Sequence, residues 1–364
     1  MTLHQRELPT EEALGELEPV AYFDGAMPTG VSVSHNGRIF VNFPEWGDGI
    51  EHTVAEVRDG RPVAYPDEAM NTTDPDDAAS ALVSAQSIVV DPADRLWILD
   101  TGRPMFGTPE YGGPKLVCVD LESDRAVKTI LFPQDVALPT SYLNDVRFDL
   151  RRGEEGMAFI TDSSDSGPNG IVVVDLASGE SWRRLHDHPS TKAEQPPSFL
   201  LIVEGRPLAG IKMGSDGIAI GADGSRLYYC PLASRQLYSV ATDALADRSL
   251  DDDAVARTVV EEGDKGGAGD GMESDAAGNI YATNYEHNAV LRRRPDGTWE
   301  TVAHDPRLLW PDTLSVATDC YLYVTANQLH RQAQYQGGTD LRQKPYTLFR
   351  VRIDEEPVLL RSGT

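Results

Sequence analysis

Asp216-Gly217-Ile218-Ala219-Ile220, followed after a short turn by Leu227-Tyr228-Tyr229, is the stretch that decides the fold. A polar residue leads a β-type run, a turn rich in Gly and Asp follows, and a second apolar run closes the unit. The same unit recurs along the chain. Thr29-Gly30-Val31-Ser32-Val33 leads to Phe40-Val41, Gln86-Ser87-Ile88-Val89-Val90 to Leu96-Trp97-Ile98-Leu99, and Asn144-Asp145-Val146-Arg147-Phe148 to Ala158-Phe159-Ile160. Asp270-Gly271-Met272-Glu273-Ser274 leads to Ile280-Tyr281-Ala282, and Asp312-Thr313-Leu314-Ser315-Val316 to Leu322-Tyr323-Val324. Six units begin at residues 29, 86, 144, 216, 270 and 312. Repeats of roughly 40–70 residues with several short strands each mark propeller blades.

A further strand pair follows each of the first five units, at 53–57 with 62–65, 115–119 with 126–131, 170–174 with 181–185, 236–240 with 256–260, and 289–292 with 299–302. Asp59-Gly60, Ser178-Gly179 and Asp296-Gly297 supply hairpin turns. Two hairpins per unit predict an all-β chain: a six-bladed β-propeller with four-stranded antiparallel blades and a central channel. The sixth unit has residues 346–351 as its third strand and then little chain. An unclosed ring exposes apolar faces and strand edges. Residues 20–23 are therefore expected to supply the missing outer strand. Residues 18–364 read as one domain and residues 1–17 as a polar, Glu-rich arm. Two connections, 187–214 and 329–344, exceed ordinary loop length. At least one is expected to lie over the channel mouth.

Composition narrows the partners. Lys+Arg is 32 and Asp+Glu is 58, a formal charge of −26. Nucleic acid and anionic membrane need a basic footprint and are excluded as partners. Acidic runs such as Asp74-Pro75-Asp76-Asp77 and Asp251-Asp252-Asp253 fit a self-repelling surface or adaptation to high salt. No apolar run approaches the eighteen or so residues of a membrane helix. The first residues lack a basic start followed by an apolar core. A cytoplasmic location is the expectation. Cys118, Cys230 and Cys320 are too few for a disulfide framework, and no CxxC or HExxH pattern points to zinc.

Several segments resemble the major royal jelly protein/Yellow family. They include Leu96-Trp97-Ile98-Leu99-Asp100-Thr101-Gly102, Tyr142-Leu143-Asn144-Asp145, Phe159-Ile160-Thr161-Asp162-Ser163, and Asp175-Leu176 with Gly179-Glu180-Ser181-Trp182-Arg183. The likeness runs in order from about residue 80 to 330. It implies a six-bladed propeller. It leaves function open, because the family includes pigment-pathway proteins linked to dopachrome conversion, amine-binding proteins and nutritional or signalling proteins. The chain departs from secreted insect members in lacking their signal peptide and disulfide cysteines, which groups it with bacterial-type, intracellular relatives. A second likeness is to the gluconolactonase/regucalcin family, where channel carboxylates and Asn hold a divalent metal. Asn144, Asp216 and Asp270 occupy comparable blade positions. Thr29 stands where that family places a first-blade glutamate.

The leading residues Thr29, Gln86, Asn144, Asp216, Asp270 and Asp312 are expected to ring one channel mouth, with Asp145 adjoining. Carboxylates gathered there repel one another. A bound cation or a raised carboxyl pKa relieves the repulsion, and the latter makes an acid or base. Oxygen-only ligands suit Ca²⁺ or Mg²⁺. Exits of the second strands add Asn42, Asp100, Arg103, Asp162, Asn284, His287, Asn327 and His330. Tyr142, Phe106, Trp46 and Trp310 lie near the same loops, placed to stack on a flat ligand. Asp216, Asp270, His287 and His330 are the catalytic candidates. Asn144, Asp145, Asp100, Arg103, Tyr142, Asn284, Asp312 and Asn327 are the ligand-binding candidates. Asn144, Asp216 and Asp270 are the metal candidates.

Three functions compete at this level. The first is a Yellow-like enzyme moving a proton on a small cyclic or aromatic metabolite, as an isomerase or tautomerase. The second is a metal-dependent lactonase with Asp270 as base. The third is a non-catalytic small-ligand-binding or interaction propeller.

Overall fold

The computed structural model describes residues 16–72, 77–109, 112–197 and 199–361. Most of the expected arm, and Asp74 to Asp76 of the acidic run, lie outside them. The described chain opens on β1 (Glu18–Phe23). The first blade takes β2 (Gly30–Val33), β3 (Ile39–Asn42), β4 (Val54–Arg58) and β5 (Arg61–Ala64). The second takes β6 (Ala85–Val90), β7 (Arg95–Thr101), β8 (Pro114–Asp120) and β9 (Arg125–Leu131). The third takes β10 (Leu143–Asp149), β11 (Met157–Asp162), β12 (Gly170–Asp175) and β13 (Ser181–Arg184). A hairpin of β14 (Leu201–Val203) and β15 (Arg206–Leu208) precedes the fourth blade. That blade is β16 (Ser215–Ile220), β17 (Arg226–Pro231), β18 (Gln236–Ala241) and β19 (Val260–Asp264). The fifth holds β20 (Met272–Ser274), β21 (Ile280–Asn284), β22 (Ala289–Arg293) and β23 (Trp299–His304). The sixth holds β24 (Pro311–Val316), β25 (Tyr321–Ala326) and β26 (Tyr346–Arg352). Each blade is an antiparallel sheet in chain order, and together they make a six-bladed propeller.

β1 is the outer strand of the sixth blade, paired with β26 through Phe23↔Tyr346, Tyr22↔Thr347 and Ala21↔Leu348. Its side chains alternate as a half-buried strand requires: Ala21 and Phe23 are buried and Tyr22 is exposed. An ion pair of 2.8 Å between Arg350 and Glu18 fixes its start. The blades stack on apolar faces. Trp97, Cys118, Phe148, Ile160 and Val172 fill one such interface, and Phe159, Val173, Ile218, Tyr229 and Val240 the next.

Near the axis, the inner end of one blade's second strand clasps the leading strand of the next. Asn42 Nδ2 donates to the Ala85 and Gln86 carbonyls at 2.9 and 3.0 Å. Thr161 Oγ1 donates to the Asp216 carbonyl and Thr325 Oγ1 to the Thr29 carbonyl, both at 2.7 Å. The last bond joins the sixth blade to the first and closes the ring. These side chains partner carbonyls that would otherwise be buried unpaired.

Two elements differ from the expectation. The outer strand of the fourth blade starts at Val260, because Asp252–Ala256 is a short helix. Asp251 caps it by accepting from the Ala254 N–H at 2.7 Å, with Asp252 and Asp253 in its first turn. That acidic run is a helix start, where carboxylates suit the exposed N–H groups. The long 187–214 connection carries the β14–β15 hairpin, turned at Glu204-Gly205 with φ of +49° and +72°.

Candidate functional site

β-bulges aim the leading residues. The strand registers slip between Ala85 and Ser87, Leu143 and Val146, Ser215 and Ile218, and Pro311 and Leu314. A bulge adds a residue and redirects a side chain. It falls at the same place in four blades, on Gln86, Asn144-Asp145, Asp216-Gly217 and Asp312-Thr313. Asp270 sits two residues before Met272, where β20 begins. The Asp-Gly pairs have a packing reason. A Cβ on Gly217 would lie 2.2 Å from the Asp270 carbonyl oxygen, and one on Gly271 would lie 2.2 Å from that of Asp312. Only glycine lets successive leading strands approach this closely, which brings the three aspartates together.

Asp216, Asp270 and Asp312 are 3%, 7% and 5% exposed, and no Lys or Arg among the described residues forms an ion pair with them. Burial, with repulsion from Asp270 and Asp312, pushes the Asp216 carboxyl well above its ordinary range. Burial and the Asp270 charge do the same to Asp312. Asp270 is raised to about 6 by burial, against hydrogen bonds from Trp310 and Asp216 that favour its anion. Within this coupled pair, burial and the neighbouring charges push Asp216 towards its protonated form, in which its O–H can hydrogen-bond to Asp270. Trp310 Nε1 donates to Asp270 Oδ2 at 2.7 Å. The result is a buried carboxyl pair sharing a proton, with one member titrating near neutrality.

Aromatic stacks flank the carboxylates. Trp310 lies 3.9 Å from the Tyr285 ring at 5° and 5.7 Å from the His330 ring at 19°. Phe106 stacks between Trp46 at 5.4 Å and Tyr142 at 4.8 Å. Tyr142 Oη donates to Gln86 Oε1 at 2.8 Å and accepts from Trp46 Nε1 at 2.9 Å. Three of the aromatics expected to stack on a ligand, Trp46, Phe106 and Tyr142, therefore cover one another, and the fourth, Trp310, is covered by Tyr285 and His330. Both long connections reach this region. Leu201, Val203 and Leu208 of the hairpin share a cluster with Tyr285, Trp310 and Leu329. Glu204 at the hairpin tip binds His330 Nε2 at 2.8 Å and Arg331 at 2.5 and 2.9 Å.

Other candidates have different partners. Asp145 accepts from Ser87 Oγ at 2.7 Å and from Arg147 at 3.1 Å, on the side of the channel where Arg147 also meets Glu273 at 3.4 Å. That end encloses a cavity of about 60 Å³, lined in part by Arg147, Glu273 and Leu359. Asp100 accepts from the Val83, Ser84 and Gly102 N–H groups and pairs with the buried Lys115 at 3.0 Å. Arg103 donates to the Phe106, Gly107, Thr140 and Ser141 carbonyls. Asp162 accepts from the Tyr142 N–H and Arg183. Asn327 donates to Asp312 Oδ2 at 2.6 Å, and buried Asn284 accepts from the His287 N–H. His287 is exposed on the following turn, away from the carboxyl pair. The exit residues mostly tie their own blade's loops together. Glu204, Tyr285 and Tyr335 escaped the sequence reading. A Glu-Gly turn between Leu201-Ile202-Val203 and Arg206 was the signal for the first.

The family described as Major royal jelly protein matches residues 83–356. Protein yellow of Drosophila melanogaster is 30% identical over 246 residues, covering 63% of this chain and 43% of that protein. Major royal jelly protein 1 of Apis mellifera is 30% identical over 196 residues, covering 52% and 43%. The matched region spans less than half the length of these relatives. Among solved structures, a calcium-binding regucalcin of Agrobacterium tumefaciens superposes with a TM-score of 0.54 at 16% identity, covering 94% of this chain and 97% of that one. A gluconolactonase of Xanthomonas campestris gives 0.52 at 13%, covering 96% and 98%. At such identity these two share the fold.

Proposed function

The chain belongs to the major royal jelly protein family, and from its site we propose that it moves a proton on a small cyclic or aromatic metabolite at the channel mouth. The observation that carries this reading is the Asp216–Asp270 pair, one carboxyl held protonated and its partner raised to about 6. An acid–base group works best with a pKa near the working pH. In this mechanism Asp270 takes a proton from carbon beside a carbonyl, and the electron pair moves onto the carbonyl oxygen. Once Asp270 carries that proton, the Asp216 hydroxyl turns from Asp270 to donate its hydrogen bond to the oxygen. Asp270 then returns the proton to a different atom, completing an isomerisation. The Trp310 N–H keeps Asp270 oriented throughout.

The test uses dopachrome and a panel of cyclic enolisable ketones in deuterated buffer. Absorbance reports dopachrome conversion, and proton NMR reports exchange at carbon. Asp270→Asn should lower either rate at least a hundredfold while the protein stays folded. Equal rates for Asp270→Asn and wild type sink the proposal. Saturable binding without exchange favours the binding-propeller reading.

A metal-dependent lactonase is the rival, favoured by three carboxylates without a neutralising cation. Asn144, Asp216 and Asp270 are its ligand set. Yet among the described residues no three His, Cys, Asp or Glu side chains are grouped as metal ligands. Oδ2 of Asp270 and of Asp312 already take N–H donors. Of the named ligand set, Asp270 thus has one oxygen already committed within the protein. Lactone hydrolysis that is lost with chelator and restored by calcium would reverse the ranking.

A further inference from the structure

We propose that Glu204 is a positioning residue for the mouth: it holds His330 with its proton on Nε2, leaving Nδ1 as a second proton acceptor one ring away from Asp270. The functional half of this rests on the proton-transfer reading; the protonation half stands alone.

Among the described residues, the hydrogen-bond partner of His330 Nε2 is Glu204. A carboxylate accepts hydrogen bonds and cannot donate them. Arg331 grips Glu204 through two nitrogens, at 2.5 and 2.9 Å, and holds its carboxyl down at about 2, so it is ionised. The imidazole nitrogen 2.8 Å from Glu204 Oε2 must then carry hydrogen. Burial keeps the ring neutral by lowering its pKa, against the pull of Glu204, so one proton is available and it sits on Nε2. Glu204 and Arg331 are the charged groups that face this ring. Nδ1 is left with a lone pair, and it is buried with no hydrogen-bond partner among the described residues. A buried acceptor without a donor is destabilising, because its desolvation is not offset. An incoming O–H or N–H group removes that cost.

The ring is held for this task. It stacks on Trp310, whose N–H is bound by Asp270. Its own carbonyl accepts from Gln336 Nε2 at 2.8 Å, and Asn327 Oδ1 accepts from the preceding Leu329 N–H at 3.0 Å. A crevice of about 430 Å³ between the hairpin and the 329–343 segment, lined by Glu204, Arg206, His330, Arg331, Tyr335 and Gln343, opens Glu204 and His330 to the outside. Glu204 also occupies an unusual place. At φ +49° it sits in the left-handed region, where a hairpin turn ordinarily takes Gly, Asn or Asp. A glutamate there is strained, and three charge-assisted hydrogen bonds offset the strain. The position calls for the length and charge of this side chain, beyond what a turn requires. A proton shift needs one group to take a proton and another to exchange with a second atom. Asp270 accepts from the edge of one indole and His330 stacks on the same ring, so the two groups are tied to one side chain.

The experiment is long-range proton–nitrogen NMR of the full chain, labelled with ¹⁵N-histidine, at pH 7. The His330 signal is assigned by its loss in His330→Asn. We expect the Nε2–H form to exceed the Nδ1–H form at least tenfold in wild type. Glu204→Leu should lower that ratio severalfold, and Glu204→Gln should keep it through its amide oxygen. A wild-type His330 protonated on Nδ1, or on both nitrogens, overturns the proposal whether or not the variants fold. So does an unchanged ratio in folded Glu204→Leu. On dopachrome, Glu204→Leu should lose at least tenfold in rate with Glu204→Gln retaining most of it; equal rates remove the positioning role. A wild type inert on every probe defeats the proton-transfer function, and the protonation state of His330 is still decided by the NMR ratio.

Discussion

Replacing Asp270 by Asn should stabilise the empty protein, far more at neutral and alkaline pH than at acid pH. Asp270 is raised from 3.8 to about 6. For a carboxyl raised on folding, the favourable contribution is complete below the unfolded pKa and is lost as pH rises through the folded one. The window is therefore pH 4 to 6. A shift of about two units corresponds to roughly 3 kcal/mol of lost stability at pH 8, and to only a fraction of that at pH 4. Asn has the same shape, keeps an oxygen for the Trp310 N–H, and carries no charge to desolvate. At about 2.1 cal/mol/K per residue, a chain of 364 residues has an unfolding entropy on the order of 0.75 kcal/mol/K. Asp270→Asn should thus raise Tm by about 4 °C at pH 8, falling to about 1 °C at pH 4. Thermal melts followed by circular dichroism at the two pH values measure this. An equal Tm change at both pH values, or a loss at pH 8, refutes the electrostatic reasoning.

Three further outcomes follow from the same contacts. Trp310→Phe removes the donor that favours the Asp270 anion; a hydrogen bond to charge is worth about 1.5–3 kcal/mol, so the acid limb of the pH–rate profile should move up by about one to two units. Lys115→Met leaves the Asp100 carboxylate buried without its cation, and urea melts should show a loss of about 3–5 kcal/mol; a loss under 1 kcal/mol removes the claim that the pair is structural. Deleting residues 1–23 uncovers the β26 edge and the pocket filled by Ala21 and Phe23, and the truncated chain should lose its cooperative melt and aggregate, whereas a wild-type melt would show that the sixth blade stands on three strands.

The blades were legible because each unit repeats a short physical pattern, and repetition averages out local ambiguity. The closing strand was legible by subtraction, since the sixth unit lacks one. Asp216, Asp270 and Asp312 could be grouped because equivalent positions in a ring converge. What the pattern could not show was direction. A bulge inserts one residue and decides whether Asn144 or Asp145 leads, and no propensity at Leu143 or Val146 announces it. Exit residues such as Asp100 and Asp162 have the same composition as a polar binding bowl, yet their oxygens meet backbone N–H groups of their own blade. Burial of loop backbone creates that demand, and it becomes visible only once the chain is folded. Glu204 lies far in sequence from His330, so their meeting depends on how two insertions cross.

The pairing of β1 with β26 also sets a timetable for synthesis. The ribosome delivers the first strand of the last blade more than three hundred residues before its partner. At roughly 5–20 residues per second, Ala21 and Phe23 wait on the order of 15–65 s without a sheet to join. During that interval the two end blades have a neighbour on one side only, and the nascent chain displays an apolar face at each end of an open arc. Protection by a chaperone, or a slow final docking step detectable as a late refolding phase, is the cost of a ring whose clasp is its own beginning.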